Sequence, residues 1–176
     1  MTTKVSGLDF SKLTLLDALD LAVLIEEEAM DRYRELAEQL EVHNTHAAAK
    51  FFRFMERNEA KHREALLTQR TARFADAPRH VRREMIFDIE APEYDEARTF
   101  MSLRAALEVS MRSETKAREF FESALAQISD SEVRTLFAEL RDEEIEHQGL
   151  VQKELDKVGS GAPGDPEDYA DEPVSH

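Results

Sequence analysis

Apolar residues recur at helical spacing in four stretches of the chain, and this periodicity predicts four amphipathic helices. Thr14 followed by Asp17 has the form of a capping box at the start of the first helix. The Ser129–Ser131 cluster and Gly159 bound the last helix. The predicted helices cover approximately residues 14–41, 45–73, 95–128 and 131–158, and Thr45 and Asp95 are the candidate caps of the second and third.

The connections between these helices indicate how they pack. A short polar turn joins the first helix to the second and the third to the fourth, so each pair is expected to form an antiparallel hairpin. The stretch from about residue 74 to 94 contains Pro78 and Pro92 and has no sustained period. A connection of this length can cross the whole bundle, which makes the second and third helices parallel. The pattern therefore predicts an all-α four-helix bundle of two helical hairpins joined by a long crossover.

Length and charge narrow the functions of such a bundle. The chain has 176 residues, which suits one domain, and we expect the bundle to occupy residues 1–158. Residues 159–176 are rich in glycine, proline and acids, which predicts a disordered acidic tail. The formal net charge of −15 argues against nucleic acid or an anionic membrane as a partner. Cations are the expected ligands.

Residue types that the chain lacks exclude further classes. There is no cysteine, so the chain can hold neither a disulfide nor a thiolate metal site. There is no signal-peptide pattern, and no uncharged run approaches the ~20 residues of a membrane span. We therefore expect a cytoplasmic protein.

The sequence contains one helical hairpin twice. The spacing Glu-x-x-Ala-x-x-x-aromatic starts at Glu26 in the first helix and at Glu114 in the third. The motif Glu-x-x-His occurs at Glu59–His62 in the second helix and at Glu144–His147 in the fourth. Because residues three apart share a helix face, each motif can present a carboxylate and an imidazole to one ion.

The repeat places its polar residues at one level of the bundle. Glu26 and Glu59 each lie roughly 20 Å below their shared turn, and Glu114 and Glu144 lie at nearly the same depth below theirs. Four buried carboxylates repel one another, so two divalent cations are needed to neutralise them. Mixed oxygen and imidazole ligation suits iron or manganese, and zinc by affinity. The predicted metal ligands are Glu26 and Glu114 as terminal ligands, Glu59 and Glu144 as bridges, and His62 and His147 as one imidazole for each ion.

Two simpler interpretations of these residues compete with a metal centre. The six residues could form a polar surface stripe of an acidic bundle, but surface residues need not repeat in register. Tyr33 lies about two turns after Glu26 on the same helix face. It is a candidate hydrogen-bonding or radical-transfer residue of the centre. A packed core aromatic is an equal interpretation, since Phe121 holds the matching position in the repeat.

The paired motifs resemble those of the di-iron ferritin-like superfamily, in which two helices give one Glu each and two give Glu-x-x-His. Within it, residues 14–158 look most like the rubrerythrin-related proteins. The resemblance implies a ferritin-like bundle, two iron ions, and a homodimer or larger homo-oligomer. Rubrerythrins usually add a cysteine-rich rubredoxin module, which this chain lacks. They also usually carry a further glutamate one turn after the terminal ligand of the third helix, where this chain has Ala117.

That missing glutamate is associated with peroxidase chemistry in the family. Its absence shifts the expected function toward oxidation of ferrous iron by dioxygen or hydrogen peroxide, for iron handling or protection from oxidative stress. A rubrerythrin-type peroxidase is a second hypothesis, and it would need an external electron donor because the chain has no cysteine-based module. A third hypothesis is a non-catalytic iron-binding or buffering protein, and a fourth is a bundle used only for protein interaction.

Overall fold

The computed structural model describes residues 5, 7–93 and 100–158, and this part of the chain contains four long helices. These are α1 (Leu15–Val42), α2 (His46–Phe74), α3 (Leu103–Leu125) and α4 (Ser131–Val158). Short 3₁₀ helices cover Phe10–Lys12 and Arg83–Met85, and Val5 pairs with Ile86 in an isolated antiparallel bridge. None of the described helices has an apolar stretch that could cross a bilayer. The predicted all-α four-helix bundle is confirmed.

Side-chain caps fix the starts of α1 and α4 close to the predicted positions. The Thr14 hydroxyl accepts a hydrogen bond from the Asp17 N–H at 3.2 Å and donates to the Asp17 carboxylate at 2.7 Å. Thr14 is therefore confirmed as the N-cap residue, and Asp17 pairs with its hydroxyl. The Asp130 carboxylate accepts from two backbone N–H groups in the first turn of α4. Thr45 is the N-cap residue of α2, but its side chain makes no capping hydrogen bond.

The third helix begins later than the sequence predicted. Ser102 is its N-cap, and the Ser102 hydroxyl accepts from the Ala105 N–H at 3.1 Å. Phe100, which the apolar spacing placed in the helix, lies before this cap, while Asp95 lies outside the described residues. Periodicity extended the prediction too far because apolar spacing does not satisfy the free N–H groups at a helix start, whereas a cap does. The predicted tail, residues 159–176, also lies outside the described residues.

The hydrophobic core has two main clusters that meet near the middle of the helices. One packs the N-terminal halves of α1 and α4 against the C-terminal halves of α2 and α3. The other packs the opposite ends of α1, α2 and α3. Since the C-terminal halves of α2 and α3 share one cluster, these helices run parallel, as the long crossover predicted. Between the clusters is a level that we call the polar layer, where Glu26, Glu59, Glu114 and Glu144 are buried.

A buried ion pair holds the start of the crossover. The Arg70 guanidinium contacts the Asp20 carboxylate, and both side chains are buried. Arg70 also donates to the backbone carbonyls of Ala75 at 3.2 Å and Ala77 at 2.7 Å. The first residues of the crossover are thereby tied to α1 and α2.

We expect Arg70→Ala to lower the free energy of unfolding by about 3–5 kcal/mol, because it leaves the Asp20 carboxylate buried without its main partner. The matched control is Arg73→Ala, since Arg73 pairs with Glu132 on the surface. An exposed ion pair of that kind contributes only about 0–1 kcal/mol. Urea unfolding measures both variants, and equal losses would contradict a stabilising role for the buried pair.

Candidate metal centre

Three potential ligands from α1 and α2 meet in the polar layer. The carboxylates of Glu26 and Glu59 and the His62 imidazole have ligand atoms within 4.8 Å of one another. The Nδ1 atom of His62 lies 3.7 Å from a Glu26 oxygen and 3.6 Å from a Glu59 oxygen. They meet because α1 and α2 are antiparallel and both glutamates lie at a similar depth below the turn that joins them.

The second hairpin builds a matching cluster. Glu114 of α3 and Glu144 and His147 of α4 also have ligand atoms within 4.8 Å of one another. The Nδ1 atom of His147 lies 3.0 Å from a Glu114 oxygen and 3.9 Å from a Glu144 oxygen. The six residues singled out in the sequence are thus brought together as two sets of three.

The two clusters face each other across the bundle. The rings of His62 and His147 are stacked, with centroids 4.8 Å apart and planes inclined by 4°. A third group of ligand atoms within 4.8 Å of one another joins the halves and consists of Glu59, Glu114 and Glu90. The polar layer is therefore one continuous site.

Glu90 is the residue that the sequence analysis missed. It lies in the crossover, outside the repeat, and its side chain is as buried as those of the paired glutamates. The residues on either side of it, Ile89 and Ala91, are buried as well. The sequence signal for Glu90 was its position between two apolar residues of the long connection. Apolar residues in such a connection indicate that the segment packs against the core.

The carboxylates of the layer have too few hydrogen-bond donors for their oxygens. Each has at least one oxygen that is buried without a hydrogen-bond partner among the described residues. Buried polar atoms are normally paired, and an unpaired buried carboxylate carries a large desolvation cost. The donor-poor glutamates, all nearly fully buried, are Glu26, Glu59, Glu90, Glu114 and Glu144. The chemistry of this layer is suited to binding cations.

Burial and mutual repulsion set the protonation of the acids. Burial raises the pKa of Glu26 well above its usual value. Burial, reinforced by the neighbouring carboxylates, does the same to the pKa of Glu90 and of Glu144. Burial also acts to raise the pKa of Glu59, but the side chains of His62 and Glu26 outweigh it and the pKa is lowered overall. Without metal, protons partly neutralise the layer.

The histidines gain basicity from the same carboxylates. The side chains of Glu26 and Glu59 raise the pKa of His62 to about 10. Burial acts to lower the pKa of His147, but the Glu114 carboxylate outweighs it and the pKa is raised overall. Both imidazoles therefore favour the charged form in the absence of metal.

Tyr33 lies in the core beside the layer. Its side chain is fully buried, its ring packs on Phe52 with centroids 5.8 Å apart, and its hydroxyl has no hydrogen-bond partner in the described part of the chain. Burial, together with the charges of Glu114 and Glu59, raises the pKa of Tyr33 well above its usual value. Tyr33 is thus a packed core residue whose protonated hydroxyl lies in the field of the carboxylates.

The family model described as Rubrerythrin matches residues 17–155. This chain belongs to the rubrerythrin family. The rubrerythrin match spans all six predicted ligands as well as Glu90. The expected resemblance to rubrerythrin-related proteins is confirmed.

Two solved structures share the fold of this rubrerythrin-family chain. An uncharacterized conserved protein from Magnetospirillum magnetotacticum is 28% identical, with a TM-score of 0.65 over 86% of this chain and 99% of that chain. A bacterioferritin from Rhodobacter capsulatus, described with a metal-free dinuclear site and a haem iron, is 19% identical. Its TM-score is 0.56 over 85% of this chain and 94% of that chain, which shows the shared ferritin-like fold. No curated protein matches this rubrerythrin-family chain.

Proposed function

We propose that this chain binds two iron ions in the polar layer and oxidises ferrous iron with dioxygen or hydrogen peroxide. The spacing between imidazole nitrogen and carboxylate oxygen carries the proposal. When two ligand atoms bind the same metal ion at about 2.1 Å, the distance between those two atoms is about 3–4 Å. The observed Nδ1–oxygen distances are 3.7 and 3.6 Å in one cluster and 3.0 and 3.9 Å in the other.

The donors fit an iron pair. Each cluster offers two carboxylates and one imidazole, and several buried carboxylate oxygens have no hydrogen-bond partner among the described residues. Under the proposal, Glu26 and Glu114 would each hold one ion, while Glu59 and Glu144 would be shared between the two. Manganese or zinc would suit the same donors, so the metal found after purification need not be the working one.

The residues of the layer also control protons. A bound iron pair supplies the electrons that reduce the oxidant. A ligating imidazole must be neutral and a ligating carboxylate ionised, so metal binding displaces protons from His62, His147 and the raised-pKa glutamates. The carboxylates are buried, while the imidazoles of His62 and His147 remain partly exposed.

Family membership favours a second candidate, a peroxidase of the rubrerythrin type. The chain has no cysteine and so no rubredoxin-type module of its own, which means that this activity needs an external electron donor. Ala117, where rubrerythrins usually have a glutamate, favours iron oxidation instead.

A cytoplasmic location and a homodimer or larger homo-oligomer are also part of the proposal. Light scattering after gel filtration measures the oligomeric state.

Iron loading under anaerobic conditions tests the function directly. We expect metal analysis to give about two iron ions per chain, as in the carboxylate-bridged bundles with this ligand pattern. Dioxygen and peroxide consumption by the loaded protein are then measured in parallel. Oxidation without added reductant supports the proposal, peroxide turnover only with a donor supports the peroxidase, and binding without oxidation supports iron buffering. Absence of iron binding would overturn the metal centre.

Tyr33 is proposed to assist the centre by donating a hydrogen bond or transferring an electron. If so, Tyr33→Phe should slow iron oxidation while leaving the iron stoichiometry unchanged, because the ring still fills the core. Urea unfolding of Tyr33→Phe checks that the packing of this ring on Phe52 is preserved. Equal oxidation rates for the wild type and Tyr33→Phe would assign Tyr33 to packing alone.

A further inference from the structure

The crossover brings a carboxylate into the polar layer that the paired motifs do not supply. Glu90 lies on neither hairpin, yet its ligand atom is within 4.8 Å of those of Glu59 and Glu114, one from each half of the bundle. We propose that Glu90 is a further metal ligand that connects the two halves of the centre. This inference rests on the proposed function, because it requires metal ions in the layer.

Glu90 has no other partner that accounts for its burial. Its residue is 1% exposed, and neither carboxylate oxygen has a hydrogen-bond partner in the described part of the chain. A buried glutamate with a purely structural role would be expected to accept a hydrogen bond from a backbone N–H or to pair with a lysine or arginine. A cation shared with Glu59 and Glu114 supplies the missing partner.

The backbone next to Glu90 is anchored from both hairpins. Lys116 on α3 donates from Nζ to the carbonyl of Ala91 at 2.9 Å. Arg32 on α1 donates from Nη1 to the carbonyl of Pro92 at 2.6 Å. These bonds hold the crossover against the bundle immediately after Glu90. The carboxylate is therefore positioned by tertiary contacts, as a ligand must be.

A ligand role for Glu90 changes the charge balance of the centre. The four paired glutamates balance two divalent ions, whereas the layer has five carboxylates once Glu90 is added to them. An additional negative charge stabilises the ferric pair more than the ferrous pair. Glu90 should therefore lower the reduction potential of the centre and favour iron oxidation.

Anaerobic titration with cobalt(II) tests the role of Glu90, because the cobalt d–d absorption reports the number and type of ligands. The variants are Glu90→Gln and, as a matched control, Glu93→Gln, which makes the same change at an exposed position of the same segment. We expect the wild type and Glu93→Gln to bind two ions with the same spectrum. Glu90→Gln should bind at least one ion about 10–100-fold more weakly and with an altered spectrum.

Two further measurements separate ligation from a structural role. The apo form of Glu90→Gln should be at least as stable as the wild type, since glutamine replaces an acid whose charged form the buried layer disfavours. Its metal-induced rise in Tm should be smaller. The reduction potential of the iron-loaded variant should be higher. A less stable apo variant with unchanged cobalt binding would assign Glu90 to folding and overturn the proposal.

The remaining outcomes distinguish this inference from the proposed function. Unchanged affinity and spectrum in Glu90→Gln would overturn the ligand role of Glu90 and leave the six-ligand centre in place. Equal weakening in Glu90→Gln and Glu93→Gln would also overturn it, because the effect would then be one of overall charge. A wild-type chain that binds no cobalt would overturn the metal centre itself.

Discussion

Replacing Glu59 or Glu144 with alanine is expected to abolish stoichiometric iron binding and iron oxidation. Both side chains are proposed to bridge the two ions, so each substitution removes a ligand from both at once. Mutating a residue that only hydrogen-bonds to a metal ligand typically weakens metal binding about 10–100-fold. Removing a ligand that is shared by both ions should weaken binding by more than that. Anaerobic ferrous titration with metal analysis measures the binding, and dioxygen consumption measures the oxidation.

Matched controls for these variants lie on the same helices. Glu64→Ala in α2 and Glu146→Ala in α4 remove the same charge from exposed positions and should bind and oxidise iron as the wild type does. Misfolding is a poor explanation for a loss in Glu144→Ala, because burial and the neighbouring carboxylates disfavour the charged form of Glu144 in the apo bundle. Thermal melts of the apo variants check this. Normal oxidation rates in both Glu59→Ala and Glu144→Ala would rule the site out.

Helical spacing explains why the six predicted ligands could be found from the sequence. Glu59 and His62 share a helix face whatever the tertiary structure, and the same holds for Glu144 and His147. The short turns then place each motif at the depth of a glutamate on the partner helix. The two clusters follow from local geometry and hairpin pairing alone, and their ligand roles stay a prediction until metal binding is measured.

Glu90 could not be found in the same way. Its neighbours carry no helical period, so nothing in the local sequence shows which side chains of the crossover turn inward. Its position depends on contacts with residues far away in the chain, such as the Lys116 bond to the Ala91 carbonyl. The predicted start of α3 was wrong for a related reason. The helix begins after the N-cap residue Ser102, although the apolar pattern includes Phe100.

The stability of the apo protein is expected to fall as the pH rises from about 5 to 9, against the usual behaviour of surface acids. Glu26 and Glu144 have a folded-state pKa well above the ordinary value of 4.5, so above that pH the folded chain holds protons that the unfolded chain has released. Each such proton costs about 1.4 kcal/mol of stability per pH unit. His62 acts in the same direction. Its contribution is complete below the ordinary pKa of 6.5 and is lost as the pH rises through its folded value of about 10.

Metal loading should have the opposite pH dependence. Ions compete with these protons for the same atoms, so the stabilisation by bound metal grows as the pH rises. At a free metal concentration of 100 Kd, each site adds about 2.7 kcal/mol. Two sites should then raise the Tm by about 10–20 °C for a chain of this size. Calorimetry of chelator-treated and manganese-loaded protein between pH 5 and 9 measures both trends.

The difference between the two Tm curves isolates the polar layer from the rest of the molecule. Surface ion pairs such as Arg53 with Glu41 are present in both forms and cancel in the subtraction. Glu144→Gln should flatten the apo curve, because it removes a proton that only the folded state retains, and should also lose most of the metal-induced rise. An apo Tm that increases steadily from pH 5 to 9 would mean that the carboxylates are solvated in solution. The electrostatic reason for a metal pair would then be gone.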